Sequence, residues 1–251
     1  MTPDLPTTIA IATLAFFLAA IVKGVSGIGL PTASLGLMTI WIEPRVAIAI
    51  LLLPMLGSNL LQAVRAGDLL GALRRYGVFG AVLAVMVGVT VLVSTEVDER
   101  VIAGLLGVAI LIYVGVSAVN RLPEIPDRWD RPAQAVFGLI AGVLGGLTAA
   151  WAAPMGIYLS GRRVLKDEFV RATGVLILIG TLPLLGTYVQ AGFLGPDLLI
   201  LSAAMLVPTF LGFVVGERIR GRISEARFRK VLLVIFTVLG LNLLRRAIWG
   251  G

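Results

Sequence analysis

The chain has no cysteine and no histidine among its 251 residues, and charged residues make up only 14% of it. Without cysteine, disulfide bonds, thiolate metal sites and cysteine nucleophiles are excluded. Without histidine, the chain lacks the residue that most often relays protons or binds metals. Its long apolar segments contain no aspartate or glutamate apart from Glu217 at the margin of one, so acidic metal clusters and intramembrane aspartyl catalysis have no ligands. We therefore expect no metal, no cofactor and no enzymatic activity.

What the chain does contain is apolar surface: 58% of its residues are hydrophobic, and its mean hydropathy is +1.01. A soluble domain of this size needs a wettable surface, whereas lipid surrounds membrane spans, so this composition predicts a membrane protein. The net charge of +7 is typical of basic cytoplasmic loops that fix the orientation of the spans. We therefore expect the partner of this basic chain to be the lipid bilayer and not nucleic acid.

Six apolar segments have the length of a transmembrane helix. They are residues 45–66, 76–94, 101–119, 170–191, 198–215 and 228–244. Two longer segments, 8–42 and 133–161, are interrupted by glycines and by Pro31 or Pro154, and each is predicted to form a helical hairpin. The first of these lacks the basic flank and cleavage site of a signal peptide and is interpreted as part of the mature fold.

The basic residues predict the orientation of these spans. If each broken segment crosses the membrane an even number of times, most of the 21 Lys and Arg residues fall in loops on one side. Arg45, Arg100 and the acidic residues Glu96, Asp98 and Glu99 then fall on the other side. The positive-inside rule therefore predicts a multi-pass protein of a bacterial inner membrane with both termini outside.

The two halves of the chain resemble each other at an offset of about 125 residues, which is typical of transporters built from repeats. Residues 24–26 match 146–148, residues 45–47 match 171–173, and Pro31 matches Pro154 after a one-residue gap. Each half holds one hairpin and three spans, an odd number of crossings, so the second half is predicted to be inverted. We expect a first repeat at 1–120, a cytoplasmic linker at 121–132 and a second repeat at 133–251.

Lys23 is a charged residue inside an otherwise apolar segment. A lysine at the bilayer centre costs about 2.5–3.5 kcal/mol on insertion scales. Two interpretations are open: the side chain snorkels to an interface, or its ammonium group binds an anion in the interior of the protein.

The residues that follow Lys23 favour the anion site. Gly24, Ser26, Gly27, Gly29 and Pro31 place backbone N–H groups and a hydroxyl beside the ammonium, at the start of a new helix. Exposed N–H groups at a helix N-terminus are a common anion site. The alternative is that the glycines only allow close packing of helices.

Further candidate residues come from the second half and from polar side chains within spans. Asn59 and Gln62 are three residues apart and so share one helix face, where they either donate to a substrate or link helices. The other candidates are Gly145, Gly146, Thr148, Pro154 and Thr181. The aromatic residues Trp41, Tyr113, Trp151 and Tyr158 are interpreted as interface anchors or packing residues.

The run from Phe17 to Pro31 resembles the opening signature of the TauE/SafE family of membrane permeases. Residues 47–62, with Leu53-Pro54 and Ser58-Asn59, are similar to the next family segment, and the glycine-rich stretch before Pro154 fits the family's repeat. This resemblance implies transport of sulfur-containing anions such as sulfite or sulfonates, including sulfoacetate, usually by export. No lysine in the second half matches Lys23, so the charge contacts to an anion are expected to be asymmetric.

We therefore expect an anion exporter that works by alternating access, with a small sulfonate or sulfite as its substrate. The inside-negative potential favours exit of an anion by about 2.3 kcal/mol per charge per 100 mV. The alternatives are an anion channel, an uptake permease for another small organic anion, and a membrane-embedded enzyme. The sequence leaves the oligomeric state open, including a homo-oligomer.

Overall fold

The computed structural model describes residues 4–118, 123–220 and 225–249, and among these residues it contains helices and no strand. The helices of the first half are α1 (Leu5–Ser26), α2 (Leu30–Met38), α3 (Pro44–Ala66), α4 (Leu69–Arg75), α5 (Gly77–Val93) and α6 (Glu99–Ala118). Those of the second half are a short 3-10 helix (Asp127–Trp129), α7 (Asp130–Thr148), α8 (Ala152–Gly161), α9 (Lys166–Gln190), α10 (Pro196–Ala204), α11 (Leu206–Arg220) and α12 (Glu225–Trp249). The predicted all-α fold is confirmed.

Within the described residues, five segments are long and apolar enough to cross a membrane. They are Leu5–Val25, Pro44–Ala66, Glu99–Val116, Asp167–Gln190 and Pro196–Ile219. A sixth is formed if α4 and α5, which meet at an angle of 79°, count as one bent span. The predicted span 198–215 is divided at Met205 between α10 and α11, yet the two together remain one apolar segment. A multi-pass membrane protein is therefore confirmed.

The first glycine-rich stretch breaks the chain between α1 and α2. Gly27 and Gly29 have φ angles of +82° and +100°, a region that side chains other than glycine rarely adopt. α2 then begins at Leu30 with Pro31 in its first turn, where the missing N–H of proline costs nothing. Its nine residues span about 14 Å at 1.5 Å per residue, which is too short to cross the membrane alone.

The second break lies between α7 and α8, at residues 149–151. Ala149 has a φ angle of +52°, and the Thr148 hydroxyl accepts the N–H of Ala150 at 3.2 Å, which supports the turn. Gly145 and Gly146 lie inside α7, and Gly24 lies inside α1. These three glycines are therefore not part of the turns in which we expected them.

The helical glycines serve the packing of neighbouring helices instead. A Cβ atom on Gly24 would lie 2.5 Å from the carbonyl oxygen of Phe213 and 2.9 Å from the amide nitrogen of Glu217, both in the backbone of α11. A Cβ on Gly146 would lie 2.7 Å from Cβ of Thr90 in α5. The alternative of close helix packing thus accounts for these positions.

The helix pairs of the two halves correspond. α1 packs along α11 and α7 packs along α5, while α3 pairs with α9 and α6 pairs with α12. In these four pairs, each helix of the first half meets the partner that its counterpart in the second half predicts. This pattern is what a two-fold relation between the halves would produce.

Pro54 interrupts the hydrogen bonding of α3, and α10 compensates for it. Proline has no N–H, so the carbonyl of Ile50, four residues earlier, loses its helical donor. The buried hydroxyl of Ser202 donates to that carbonyl oxygen at 2.8 Å and accepts the N–H of Leu53 at 3.1 Å. A side chain from the other half of the chain thus supplies hydrogen bonds to the backbone groups at the interruption of α3.

The aromatic residues divide between packing and surface positions. Trp151 and Tyr158 are buried, whereas 54% of Trp41 is exposed. The Trp151 ring lies against Gly145 of α7 and Gly180 of α9. Trp151 and Tyr158 are therefore packing residues and not interface anchors.

Candidate functional site

Lys23 lies in the last turn of α1 and is buried, with 1% of its surface exposed. Its ammonium nitrogen donates a hydrogen bond to Oδ1 of Asn59 in α3 at 2.5 Å. Because a buried charge requires a partner in a medium of low dielectric constant, this contact is what holds the ammonium in the interior. The side chain does not reach an interface, so snorkelling does not describe it.

The side chain of Asn59 is held by its own helix in the orientation that accepts the hydrogen bond from Lys23. Its Nδ2 donates to the carbonyl oxygen of Met55 at 2.7 Å, and the side chain is fully buried. Since the amide nitrogen is held by that backbone carbonyl, the oxygen is directed towards Lys23. The result is a chain of hydrogen bonds from Lys23 through Asn59 to the backbone of α3.

A cavity of about 360 Å³ reaches Lys23 from one end of the helix bundle. It lies between α1, α3, α9 and α11, at the end of the bundle where α3 ends and α9 begins. The described residues that line it are Lys23, Gly24, Gly27, Gln62, Arg65, Ala66, Asp167, Val170, Arg171, Phe213 and Glu217. Its volume is within the range of about 300–1,000 Å³ that is usual for small-molecule sites.

Gln62 forms part of the cavity wall one helical turn after Asn59. Its Nε2 donates to the carbonyl oxygen of Val170 in α9 at 2.8 Å and lies 3.4 Å from the Thr173 hydroxyl. Its Oε1 is buried and receives no hydrogen bond from the described residues. The amide thus links α3 to α9 with its nitrogen and leaves an acceptor unsatisfied beside the cavity.

Charged residues surround the mouth of the cavity. Arg65 pairs with Glu217 of α11 at 2.9 Å, and Arg171 of α9 donates to the backbone oxygen of Ala66 at 3.3 Å. Arg171 also lies 3.4 Å from Glu168. Asp167 and Glu217 line the same mouth, so the arginines there are balanced by carboxylates while they connect α3 with α9 and α11.

Sequence reasoning missed most of the lining residues. Arg65 and Arg171 were counted only as basic loop residues that set the orientation of the spans. Glu217 was noted only at the margin of an apolar segment, and Asp167 was not considered. A usable signal was present, because Arg65 is one helical turn beyond Gln62 and so lies on the same face of α3 as the predicted site. The apolar lining residues Val170 and Phe213 carry no such signal in the sequence.

The structure brings only part of the predicted set together. Lys23, Gly24, Gly27 and Gln62 line the cavity, and Asn59 contacts Lys23. The side chain of Ser26 lies outside the described residues.

The remaining predicted residues lie elsewhere. They are Gly29, Pro31, Gly145, Gly146, Thr148, Pro154 and Thr181, none of which is among the described lining residues. The Thr181 hydroxyl donates to the carbonyl of Ile177 within its own helix at 2.6 Å, and the hydroxyl of Thr148 likewise donates to Leu144 at 2.7 Å. At Gly145, which aligns with Lys23, the ring of Trp151 covers the position where a side chain would begin.

Replacing Asn59 with leucine is expected to lower the thermal unfolding midpoint of the purified protein. The change leaves the buried ammonium of Lys23 without its acceptor, and an unsatisfied buried group costs about 1–3 kcal/mol, or more when it is charged. Fluorescence-detected unfolding in detergent measures the effect. Ser58→Ala is the matched control, because among the described residues the buried Ser58 hydroxyl bonds only to Met55 of its own helix, at 3.3 Å. Equal midpoints for the two variants would contradict the proposed pairing.

No curated protein and no solved structure matches the chain at significant similarity. The sequence profile described as "Sulfite exporter TauE/SafE" matches residues 12–243, which is nearly the whole chain. That family consists of membrane transporters for sulfite and related sulfur anions, in agreement with the apolar helices and the buried cation. The chain belongs to the TauE/SafE sulfite exporter family.

Proposed function

We propose that the protein exports a small sulfonate or sulfite across a bacterial inner membrane, and that Lys23 binds the charge of the anion. The observation that carries this proposal is the buried ammonium of Lys23 at the inner end of a cavity that opens to one side. A lysine has three N–H donors, and the described structure uses one of them, towards Asn59. The anion would accept from the others.

Charge balance supports an anion as the ligand of this site. The ammonium is buried with only the neutral amide of Asn59 as its described hydrogen-bond partner. A bound anion would neutralise it, and charge-assisted hydrogen bonds are roughly twice as strong as neutral ones.

Alternating access would use the two-fold correspondence of the helix pairs. An inverted repeat would allow one half to move against the other around a site near the midplane, as in other transporters with broken helices. The distribution of basic loops would place the cavity mouth on the cytoplasmic side, with both termini outside.

The opposite end of the bundle carries contacts that would have to open in such a cycle. Arg45, which aligns with Arg171, pairs with Glu99 at 3.3 Å. It also donates to the carbonyl oxygens of Ser94 at 3.0 Å and Val97 at 2.5 Å, and its guanidinium lies 4.9 Å from the ring centre of Phe193. These contacts would break when the site opens outwards.

The test is anion flux in proteoliposomes that contain the purified protein. We expect saturable efflux of sulfite or a simple sulfonate, faster than efflux of a carboxylate of the same size, and acceleration by the same anion on the opposite side. Such counterflow is a property of carriers and separates them from channels. Efflux no faster than that of empty liposomes for every sulfur anion would contradict the proposal.

A further inference from the structure

The short helix α4 (Leu69–Arg75) runs almost perpendicular to the helix that follows it. α4 meets α5 at an angle of 79°. α5 has 17 residues and is about 26 Å long at 1.5 Å per residue, which is close to the hydrocarbon thickness of about 30 Å. Because α5 nearly crosses the membrane by itself, a helix at this angle to it lies roughly parallel to the membrane surface.

Three leucines are exposed on one side of α4. Leu69, Leu70 and Leu73 have 37%, 59% and 44% of their surface exposed, and at 3.6 residues per turn they fall within an arc of about 100°. Ala72, on another side of the helix, is buried. A helix with its apolar side free and its axis along the surface is typical of the boundary between headgroups and acyl chains.

The beginning of α7 lies beside the end of α4. The buried side chain of Gln134 in α7 donates to the carbonyl oxygen of Arg75 at 3.0 Å and accepts the N–H of Phe79 at 3.2 Å. Trp129, just before α7, has 55% of its surface exposed. Exposed tryptophans are enriched at membrane–water interfaces, so the start of α7 and α4 are suited to the same depth.

Three exposed arginines at this junction have no ion pair with another described residue. They are Arg74 in α4, Arg128 beside Trp129, and Arg131 in the first turn of α7. On the linker side, Glu124 is an exposed carboxylate that also has no described ion pair. The free arginines outnumber it, which leaves positive charge for another partner.

The other carboxylates near the junction already have cations. Asp127 and Asp130 both pair with Arg162, at 2.6 and 3.0 Å, and Glu168 pairs with Arg75 at 3.4 Å. These carboxylates therefore do not compete strongly for the three free arginines.

We propose that the junction of α4, α5 and α7 binds the headgroup of an anionic phospholipid, whose phosphate is held by Arg74, Arg128 and Arg131. The leucines of α4 and the ring of Trp129 contact the acyl chains beside it. In the proposed orientation the junction faces the cytoplasmic leaflet, whose anionic lipids attract basic residues. A zwitterionic lipid has the same phosphate, but its own ammonium group balances the charge.

This lipid site is separate from the cavity that reaches Lys23. None of the three arginines is among the described residues that line the cavity. Binding of the lipid is therefore measurable without transport and does not depend on which anion the protein carries.

The first test is competition between phosphatidylglycerol and phosphatidylcholine for the purified full-length protein, with retained lipid measured by native mass spectrometry. We expect phosphatidylglycerol to bind at least about tenfold more tightly, since each arginine near an anionic lipid contributes about fivefold. In the triple variant Arg74→Gln, Arg128→Gln and Arg131→Gln, we expect the preference to fall below about twofold. All three side chains are exposed, so the variant is expected to fold.

Arg100→Gln is the matched control, because Arg100 is also exposed but lies at the other end of the bundle, in the first turn of α6. Its preference for phosphatidylglycerol is expected to equal that of the wild type. Free inorganic phosphate is the second control, and we expect it to leave the bound lipid in place. Displacement of the lipid by millimolar phosphate would mean a site for soluble anions and would contradict the proposal.

The second test measures the depth of α4 in liposomes. The chain has no cysteine, so a nitroxide on Leu70→Cys reports on one position. We expect this label to collide more with oxygen, which dissolves in lipid, than with a water-soluble nickel chelate. A label on Glu96→Cys, exposed in the loop between α5 and α6, is expected to show the reverse.

Three further results would overturn the inference: equal retention of the two lipids by the wild type, a preference that survives in the triple variant, or a label at position 70 that lies in water. Each of these results leaves the proposed transport function untouched, because that function is tested by flux and by the variants of Lys23.

Discussion

Replacement of Lys23 with methionine is expected to reduce anion transport about a hundredfold, which corresponds to the upper end of the energy of a hydrogen bond to a charged group. The variant removes the buried ammonium, so an anion that enters the cavity meets no compensating charge in a medium of low dielectric constant. Flux in proteoliposomes measures the effect, with the amount of inserted protein determined in the same vesicles.

This loss is separable from misfolding. Methionine is similar in length to lysine and has no charge, so it avoids the insertion cost of about 2.5–3.5 kcal/mol that a central lysine carries. We therefore expect Lys23→Met to insert at least as well as the wild type. Lys23→Arg keeps the charge and serves as the control, with partial transport expected because the guanidinium differs in shape. Transport by Lys23→Met at the wild-type rate would refute the role of the ammonium.

Replacement of Gly24 with alanine is expected to lower the stability of the protein clearly, and more than the same change at a helical glycine that has no close neighbour. The added Cβ would lie 2.5–2.9 Å from three backbone atoms of α11, which belong to Phe213, Gly216 and Glu217. Backbone atoms have no rotamer by which to move away, so α1 and α11 must separate. Overpacking of this kind usually costs about 1–3 kcal/mol.

The thermal unfolding midpoint in detergent and the monodisperse yield measure this effect. Gly186→Ala in α9 is the matched control, because a Cβ at Gly186 meets no described atom within 4 Å. Alanine is favoured over glycine inside a helix by about 1 kcal/mol in soluble hosts, so the control is expected to unfold at or above the wild-type midpoint. If Gly24→Ala and Gly186→Ala have the same thermal unfolding midpoint, the close approach of α1 and α11 does not make Gly24 necessary for stability.

The helices and the breaks between them were predictable because their causes are local. An apolar run of about 20 residues satisfies its own backbone only as a helix in lipid. A positive φ angle at Gly27 and Gly29 belongs to glycine wherever it occurs. The places of Gly24, Gly145 and Gly146 within helices were not predictable, since a glycine permits both a turn and close packing, and only the neighbouring helix decides between them.

The candidate site was predictable in part. Lys23 was recognisable because a lysine inside a membrane-spanning segment is energetically costly and is usually retained for a function. Its partner was not, since Asn59 lies 36 positions away and many polar residues were available. Arg65 and Arg171 were recognised as basic residues, but their position at the mouth of the cavity depends on how α3, α9 and α11 pack.

By itself the sequence determined the membrane, the helices, the break at Gly27 and Gly29, and the family, because hydropathy, glycine and the signature around Lys23 are properties of short segments. The tertiary structure alone decided that Lys23 is held by Asn59, that a cavity leads to it, and that Gln62 bonds to Val170, which is 108 positions away. Those contacts join distant helices, and the direction of each side chain is fixed only when the helices pack. The buried oxygen of Gln62, which has no hydrogen-bond partner among the described residues, likewise exists only in the packed structure.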